Sequence, residues 1–191
     1  MDLSAADKKL LLHVARDSIA ARLKGASVPA PPEVGAHLKE RCGAFVSLHR
    51  QGRLRGCIGY LEAVKPLITT IQEMAQAAAF NDPRFGPLKP EELADLEIEI
   101  SVLSPMRLTD NTDAIVIGKH GLLIARGPHR GLLLPQVATQ YGWDRLTFLQ
   151  QTCQKAGLPP DAWKDPATQI YTFTAEIFAD HDRPSPESCT R

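Results

Sequence analysis

Gly43-Ala44-Phe45-Val46-Ser47-Leu48-His49-Arg50-Gln51-Gly52-Arg53-Leu54-Arg55-Gly56-Cys57-Ile58-Gly59-Tyr60 sets two apolar runs on either side of Gln51-Gly52. A polar residue followed by glycine between such runs supplies the backbone freedom of a tight turn, so the stretch predicts an antiparallel hairpin. Its second arm carries a cysteine among small residues, with an arginine two positions before it. Strand side chains alternate, so Arg55 and Cys57 are expected on one face. A guanidinium beside a thiol favours the reactive thiolate. Gly56 and Gly59 carry no side chain, which predicts an uncovered backbone that a ligand can approach.

Working outward, Ser4 and Asp7 form a capping-box pattern. Leu10, Leu11, Val14, Ile19 and Leu23 then recur at helical spacing up to Gly25. Pro29, Pro31 and Pro32 make residues 25–36 an extended connector. Beyond the hairpin, Pro66 opens a helix striped with Leu67, Ile71, Met74 and Ala78. A polar, proline-rich loop follows over 81–90. Leu96, Ile98, Ile100 and Val102 alternate with Glu97, Glu99 and Ser101, the pattern of a half-buried antiparallel strand. Residues 114–118 and 121–126 predict short strands around Lys119-His120-Gly121. The run Leu132-Leu133-Leu134 leads into Pro135 and a short helix over 136–141. Asp144 caps a further helix with Leu146, Leu149 and Cys153 inward, ended by Gly157. Residues 168–179 form a last strand with Tyr171, Phe173, Ala175 and Ile177 on one face. Strands broken by a few helices predict an α+β fold with a mostly antiparallel sheet. The tail 180–191, polar and holding Pro184 and Pro186, is expected to be mobile.

Composition narrows the function. A chain of 191 residues suits one large domain or two interlocked lobes. Lys+Arg and Asp+Glu both number 22, and a formal net charge of zero argues against nucleic-acid binding, which needs a basic excess. The local cluster His49, Arg50, Arg53 and Arg55 is the place where such binding would sit. No apolar run is long enough to cross a bilayer. Met1-Asp2-Leu3-Ser4 lacks the basic start and apolar core of a signal peptide. The cysteines at 42, 57, 153 and 189 are too sparse for a disulfide framework, so a cytoplasmic location is expected. There is no CxxC, HxxxH or HExxH spacing and no glycine-rich nucleotide loop, so neither a metal nor another cofactor is expected.

Six motifs, in order, resemble those of one family: Gly43-Ala44-Phe45-Val46, Leu54-Arg55-Gly56-Cys57-Ile58-Gly59, Ala79-Phe80-Asn81-Asp82-Pro83-Arg84-Phe85, Gly118-Lys119-His120-Gly121-Leu122, Leu133-Leu134-Pro135-Gln136-Val137 and Ala156-Gly157-Leu158-Pro159. The chain resembles the AMMECR domain family, also called AmmeMemoRadiSam system protein A, from about Gly43 to Phe178. Tyr60 departs from the family, which more often has a small hydroxyl residue there. The resemblance implies a single α+β domain over residues 1–179, made of two interlocked lobes between which the chain crosses. It also implies a shared pathway with a Memo-like protein and a radical-SAM protein. It implies no particular reaction.

Each candidate site residue carries two readings. Cys57 is a nucleophile or redox-active thiol activated by Arg55, or a small residue packed on a strand. In Asn81-Asp82-Pro83-Arg84-Phe85, Asp82 acts as a base or orients Arg84, and Arg84 anchors an anion; the same residues read as a turn tied by an Asp–Arg pair. His120 is a base for Cys57 or a turn residue between glycines. Gly127-Pro128-His129-Arg130-Gly131 resembles an anion-holding loop, with a surface turn as the plainer reading. A Cys42–Cys57 disulfide is disfavoured, because a turn at Gln51-Gly52 sets Cys57 opposite Val46, beyond disulfide reach of Cys42.

Two functions follow. In an enzyme or enzyme component, Cys57 is the nucleophile, Asp82 or His120 moves protons, and Arg55, Gly56, Gly59, Asn81 and Arg84 hold the substrate. That reading expects an exposed Cys57 with a lowered pKa. In a non-catalytic adaptor, the motif surface docks a Memo-like or radical-SAM partner.

Overall fold

The computed structural model describes residues 3–180. The predicted tail from 181 on, with Cys189, lies outside the described residues. The chain divides into two compact units, one built from the stretch up to Val102 and from Glu176 onward, the other from Leu103 to Ala175.

The first unit packs two helices on an antiparallel sheet. Helix α1 (Ala5–Leu23) starts at the Ser4–Asp7 capping box, with Asp7 N–H donating to Ser4 Oγ and Ser4 N–H to the Asp7 carboxylate. It ends where Gly25 takes a positive φ, a conformation glycine adopts without a Cβ clash. Strands β1 (Ala44–Arg50) and β2 (Arg53–Tyr60) form the expected hairpin, closed by Gln51 and Gly52, both with positive φ. Helix α2 (Leu67–Phe80) follows Pro66 and buries the predicted stripe. Strand β3 (Leu96–Leu103) pairs antiparallel with β1, leaving β2 outermost in the order β2-β1-β3. Val46, Leu48, Ile98 and Ile100 face the helices, and all four are closed to solvent together with Leu11, Ile19 and Ile71. Truncating one such aliphatic side chain to alanine typically costs about 2–5 kcal/mol.

The hairpin departs from simple counting in one respect. Arg50 pairs with Arg53 and His49 with Leu54, but Leu48 pairs with Gly56, so Arg55 is an extra residue in β2. This bulge shifts the register by one, and a one-residue shift moves every later side chain to the opposite face. Cys57 therefore lies opposite Ser47, not Val46 as the uninterrupted count predicts. Without the bulge the thiol would point at the helices beside Val46. With it, Gly56, Ile58 and Tyr60 take that face, and Cys57 joins Ser47 and Glu99 on the other.

The second unit is a smaller antiparallel sheet with two helices. Strand β4 (Arg107–Thr109), not foreseen, pairs with β7 (Gln169–Ala179). Strand β5 (His120–Arg126) pairs with β7 and with β6 (His129–Leu133). The predicted strand at 114–118 does not form. Thr112–Ala114 is a short 3-10 helix, and Val116 C=O accepts from both Lys119 and His120 N–H in a turn completed by positive-φ Gly118. Those bonds take the groups a strand partner would need. The stretch 127–131 follows its plainer reading as a turn: Gly127 and Pro128 reverse the chain in a hairpin and Arg126 pairs with His129. Helix α3 (Pro135–Gln140) and helix α4 (Arg145–Lys155) stand where expected, with Thr147 N–H donating to the Asp144 cap at 2.7 Å. Leu146 was expected inward, yet it is exposed, and Phe148 fills the core beside Leu149 and Cys153.

Strand β7 divides its inward residues. Ile170 joins the core of the second unit, Phe178 packs on that of the first, and Ile177 is exposed. Its end is held by Asp180, which accepts from Ile98 N–H at 3.1 Å and pairs with Arg16.

Candidate functional site

The site is built at the open edge of β2. There Cys57 N–H and C=O point away from β1, and the loop after α2 takes both. Asp82 Oδ2 accepts from Cys57 N–H at 2.8 Å, and Arg84 Nη2 donates to Cys57 C=O at 3.3 Å. The two loop residues are bound to each other: Arg84 Nε donates to Asp82 Oδ1 at 3.0 Å and Nη2 to Oδ2 at 2.7 Å, and Arg84 N–H donates to Oδ1 at 3.1 Å. The motif thus stands in for a neighbouring strand and closes an edge that would otherwise present unpaired groups. Asn81 caps α2, its N–H donating to Ala77 C=O at 2.8 Å, and is exposed.

Asp82 is only 3% exposed, and its carboxylate already accepts four hydrogen bonds. The Arg84 guanidinium, and after it the Cys57 and Arg84 N–H groups, hold its pKa far below the usual carboxylate range, against the opposing effect of burial. A carboxylate so saturated has no proton affinity to offer at neutral pH. Of the two readings of Asp82, orienting Arg84 fits this geometry and general base does not.

Arg55 does not activate the thiol. As the bulged residue it turns to Glu92, with Nε donating to Oε1 at 2.8 Å and Nη2 to Oε2 at 3.0 Å. Glu92 also accepts from Lys89 N–H at 2.8 Å, and its carboxyl is held down at about 2, chiefly by Arg55. Arg50 lies 3.7 Å from Glu92 and 3.5 Å from Asp95, so two of the four residues in the basic cluster have carboxylate partners.

The thiol itself is half-buried. Ser47 Oγ donates to Cys57 Sγ at 3.2 Å. Burial pushes the Cys57 pKa up, Ser47 and Arg84 pull it down, and Asp82 and Glu99 push it up again, with a net rise. The surroundings of Cys57 run against the expected exposed thiol of lowered pKa: Arg55 is engaged by Glu92, and desolvation disfavours the thiolate.

Both glycines are covered on the side where a Cβ would stand. A Cβ on Gly56 would run into the Ala78 carbonyl of α2, and one on Gly59 would run into the Phe45 ring. Gly56 lets a helix approach and Gly59 lets a ring lie flat on the strand, so the face that each glycine leaves bare is filled by the protein's own atoms.

His120 belongs to the second unit. Its Nδ1 accepts from Val116 N–H at 3.1 Å, and burial lowers its pKa, with Lys119 adding to the effect. The imidazole is neutral and its Nδ1 is committed to a local turn. Within the first unit, then, Cys57, Asp82 and Arg84 are brought together, and Arg55 is directed to a neighbouring pair. Ser47 and Glu92 were not anticipated. Ser47 needed the bulge to be known, and Glu92 is remote in sequence with no motif of its own.

Among the described residues there is no group of three or more His, Cys, Asp or Glu side chains placed to hold a metal ion. No described helix is long and apolar enough to cross a membrane.

This combination of mixed α and antiparallel β elements with a motif-closed edge strand defines a class known from its relatives. The AMMECR1 family model matches residues 12–178, and the chain belongs to that family. A protein of Methanothermobacter thermautotrophicus is 48% identical over 183 residues, covering 92% of this chain and 95% of its own. Protein TK0174 of Thermococcus kodakarensis is 45% identical over 181 residues, covering 89% and 88%. The crystal structure of uncharacterized protein PH0010 from Pyrococcus horikoshii superposes with a TM-score of 0.85 at 42% identity, over 90% of each chain. The fold is shared with that protein.

Proposed function

We propose that this chain is a non-catalytic accessory protein whose motif surface docks partner proteins. The partners implied by the family resemblance are a Memo-like protein and a radical-SAM protein, and the reading places all three in the cytoplasm. The observation that carries it is the state of Cys57. The thiol is half-buried and its pKa raised, with the Asp82 carboxylate locked to Arg84. Residues that read as chemistry in the sequence instead fix the shape of an edge strand. The rival reading, a small-molecule or protein-modifying enzyme component with a thiol-centred cleft, requires Cys57 to ionise and Asp82 or His120 to exchange a proton.

Co-purification with Memo-like and radical-SAM candidates separates the two. Docking expects Cys57→Ser to retain the complex and Cys57→Trp to lose it, because shape matters and the sulfur does not. A reconstituted activity abolished by Cys57→Ser while the complex persists would overturn the docking reading in favour of the enzyme.

A further inference from the structure

Arg84 and Arg55 are built alike. Each turns its Nε and Nη2 edge onto a buried carboxylate, Asp82 for one and Glu92 for the other. Each also donates from Nη2 to a backbone carbonyl at 3.3 Å, that of Cys57 or of Pro87. Each guanidinium lies over the same Phe85 ring, Arg84 at 5.5 Å and Arg55 at 5.9 Å from its centroid. Among the described residues, Nη1 of neither makes a hydrogen bond or ion pair, and Arg55 Nη1 is not among the polar atoms shut away from solvent without a partner. The Asp82–Arg84 pair is also polarised in depth. The Asp82 side chain is 1% exposed against 54% for Arg84, and that of Glu92 11% against 17% for Arg55. At Arg84 the anion sits inward and the cation outward, while Arg55 and Glu92 are both mostly buried, with Arg55 Nη1 not shut away from solvent.

From this we infer that the two Nη1 amino groups, on guanidiniums that share the Phe85 ring, form a recognition site for an acidic protein segment. Two carboxylates of the segment would each take one Nη1. The inference rests on the docking reading and gives its partner a chemistry. Because Asp82 and Arg84 occupy both backbone groups of Cys57, a segment cannot add as a further strand at that residue, and recognition falls to side chains. A nucleic-acid backbone fits less well. Its closely spaced phosphates need a basic excess, whereas Glu91 and Asp95 flank Glu92 in the chain and the net charge is zero. An acidic peptide can space its carboxylates to avoid them.

The test is fluorescence anisotropy with the full chain and a labelled oligoglutamate peptide at low salt. Oligoglutamine and oligothymidine serve as comparison probes. The paired exchanges Asp82→Asn/Arg84→Gln and Arg55→Gln/Glu92→Gln each remove a guanidinium together with its carboxylate, so neither leaves a buried charge unpaired or alters net charge. The site expects oligoglutamate to bind, oligoglutamine not to bind, and each exchange to weaken binding at least fivefold with melting retained. Should an exchange unfold the chain, Arg84→Lys keeps the charge beside Asp82 but removes Nη1, and the same loss is expected. No binding of oligoglutamate, equal binding by the variants, or tighter binding of oligothymidine would each overturn the inference. Capture of a Memo-like or radical-SAM partner by variants that no longer bind oligoglutamate would also sink it while leaving the docking reading intact. Oligoglutamate binding at these arginines with no partner captured by the native chain would sink the docking reading and leave the site standing.

Discussion

Gly56 on the second arm of the β1–β2 hairpin and Gly131 on the second arm of the β5–β6 hairpin occupy equivalent positions. In each, a packed helix brings its backbone so close that a Cβ would collide, with Ala78 of α2 in one case and with Ala156 at the end of α4 in the other. There the likeness stops. The β5–β6 register runs unbroken from Leu122–Leu133 to Arg126–His129, whereas β1–β2 slips by one at Arg55. At the outer edge of β2 the Asp82–Arg84 pair takes the N–H and C=O of Cys57. Glycine beneath a helix is therefore a general packing device of this fold. The bulge and the clamped edge are what single out the cysteine hairpin.

That comparison can be broken at several points. The largest expected effect is at the clamp. Arg84→Ala leaves Asp82 as a buried, unpaired carboxylate, and a loss of roughly 3–5 kcal/mol is expected by chemical denaturation. The exposed Arg126–Asp165 pair of the β5–β6 unit, 3.0 Å apart, should lose no more than about 1 kcal/mol on Arg126→Ala. Equal losses would mean that the clamp is no more than a surface ion pair.

Gly56→Ala and Gly131→Ala come next. Both should destabilise by about 3 kcal/mol, the upper end of overpacking, because the obstacle is helix backbone and not a flexible side chain. If thermal melting moved for only one of them, the packing likeness of the two hairpins would fall.

Acid sharpens the contrast between the units. Glu92 titrates lower in the folded chain than unfolded, at about 2. Its contribution is complete above the unfolded value of about 4.3 and fades as pH falls toward 2, on the order of 2–3 kcal/mol in all. Asp82 acts in the same direction, its folded pKa being depressed further. Glu92→Gln should flatten the pH dependence of stability in that window, and an unchanged acid limb would show that these pairs contribute nothing.

The smallest effect concerns the thiols. Cys57 should alkylate more slowly at neutral pH than an unhindered thiol of pKa about 8.5, with an apparent pKa above that value. Cys153, fully buried in the other unit, should stay inert until unfolding. Rapid, low-pKa labelling of Cys57 by peptide mass spectrometry would return the hairpin to chemistry.

Much of this fold could be read in advance, and the reason is periodicity. The hairpin tip, the α2 stripe, the alternation of β3 and the Asp144 cap are local patterns with a physical meaning at each position. The site was less legible. A bulge has no compositional mark, since Arg55 is ordinary in a strand, yet that one residue decides which face the thiol takes and which carboxylate the guanidinium meets. The burial of Asp82 was equally hidden, because Asn-Asp-Pro-Arg describes an exposed turn as well as a clamp. In the second unit, residues 114–118 carried apolar residues without a strand neighbour to pair with. Leu146 fitted the helical stripe, but Phe148 fills the core.

Strand β7 has a consequence for synthesis. Its first residues belong to the second unit, while residues from Glu176 on, with Asp180 against Arg16 and Ile98, complete the first. Helices α1 and α2 and strands β1 to β3 precede the second unit in the chain, yet the first unit cannot close until the end of β7, translated after the whole second unit, has left the ribosome. A nascent chain halted after Ala175 should thus hold α1, α2 and β3 in a protease-sensitive state, and release of the next few residues should protect regions more than 150 positions upstream, as the sequence separation of Arg16 and Asp180 requires.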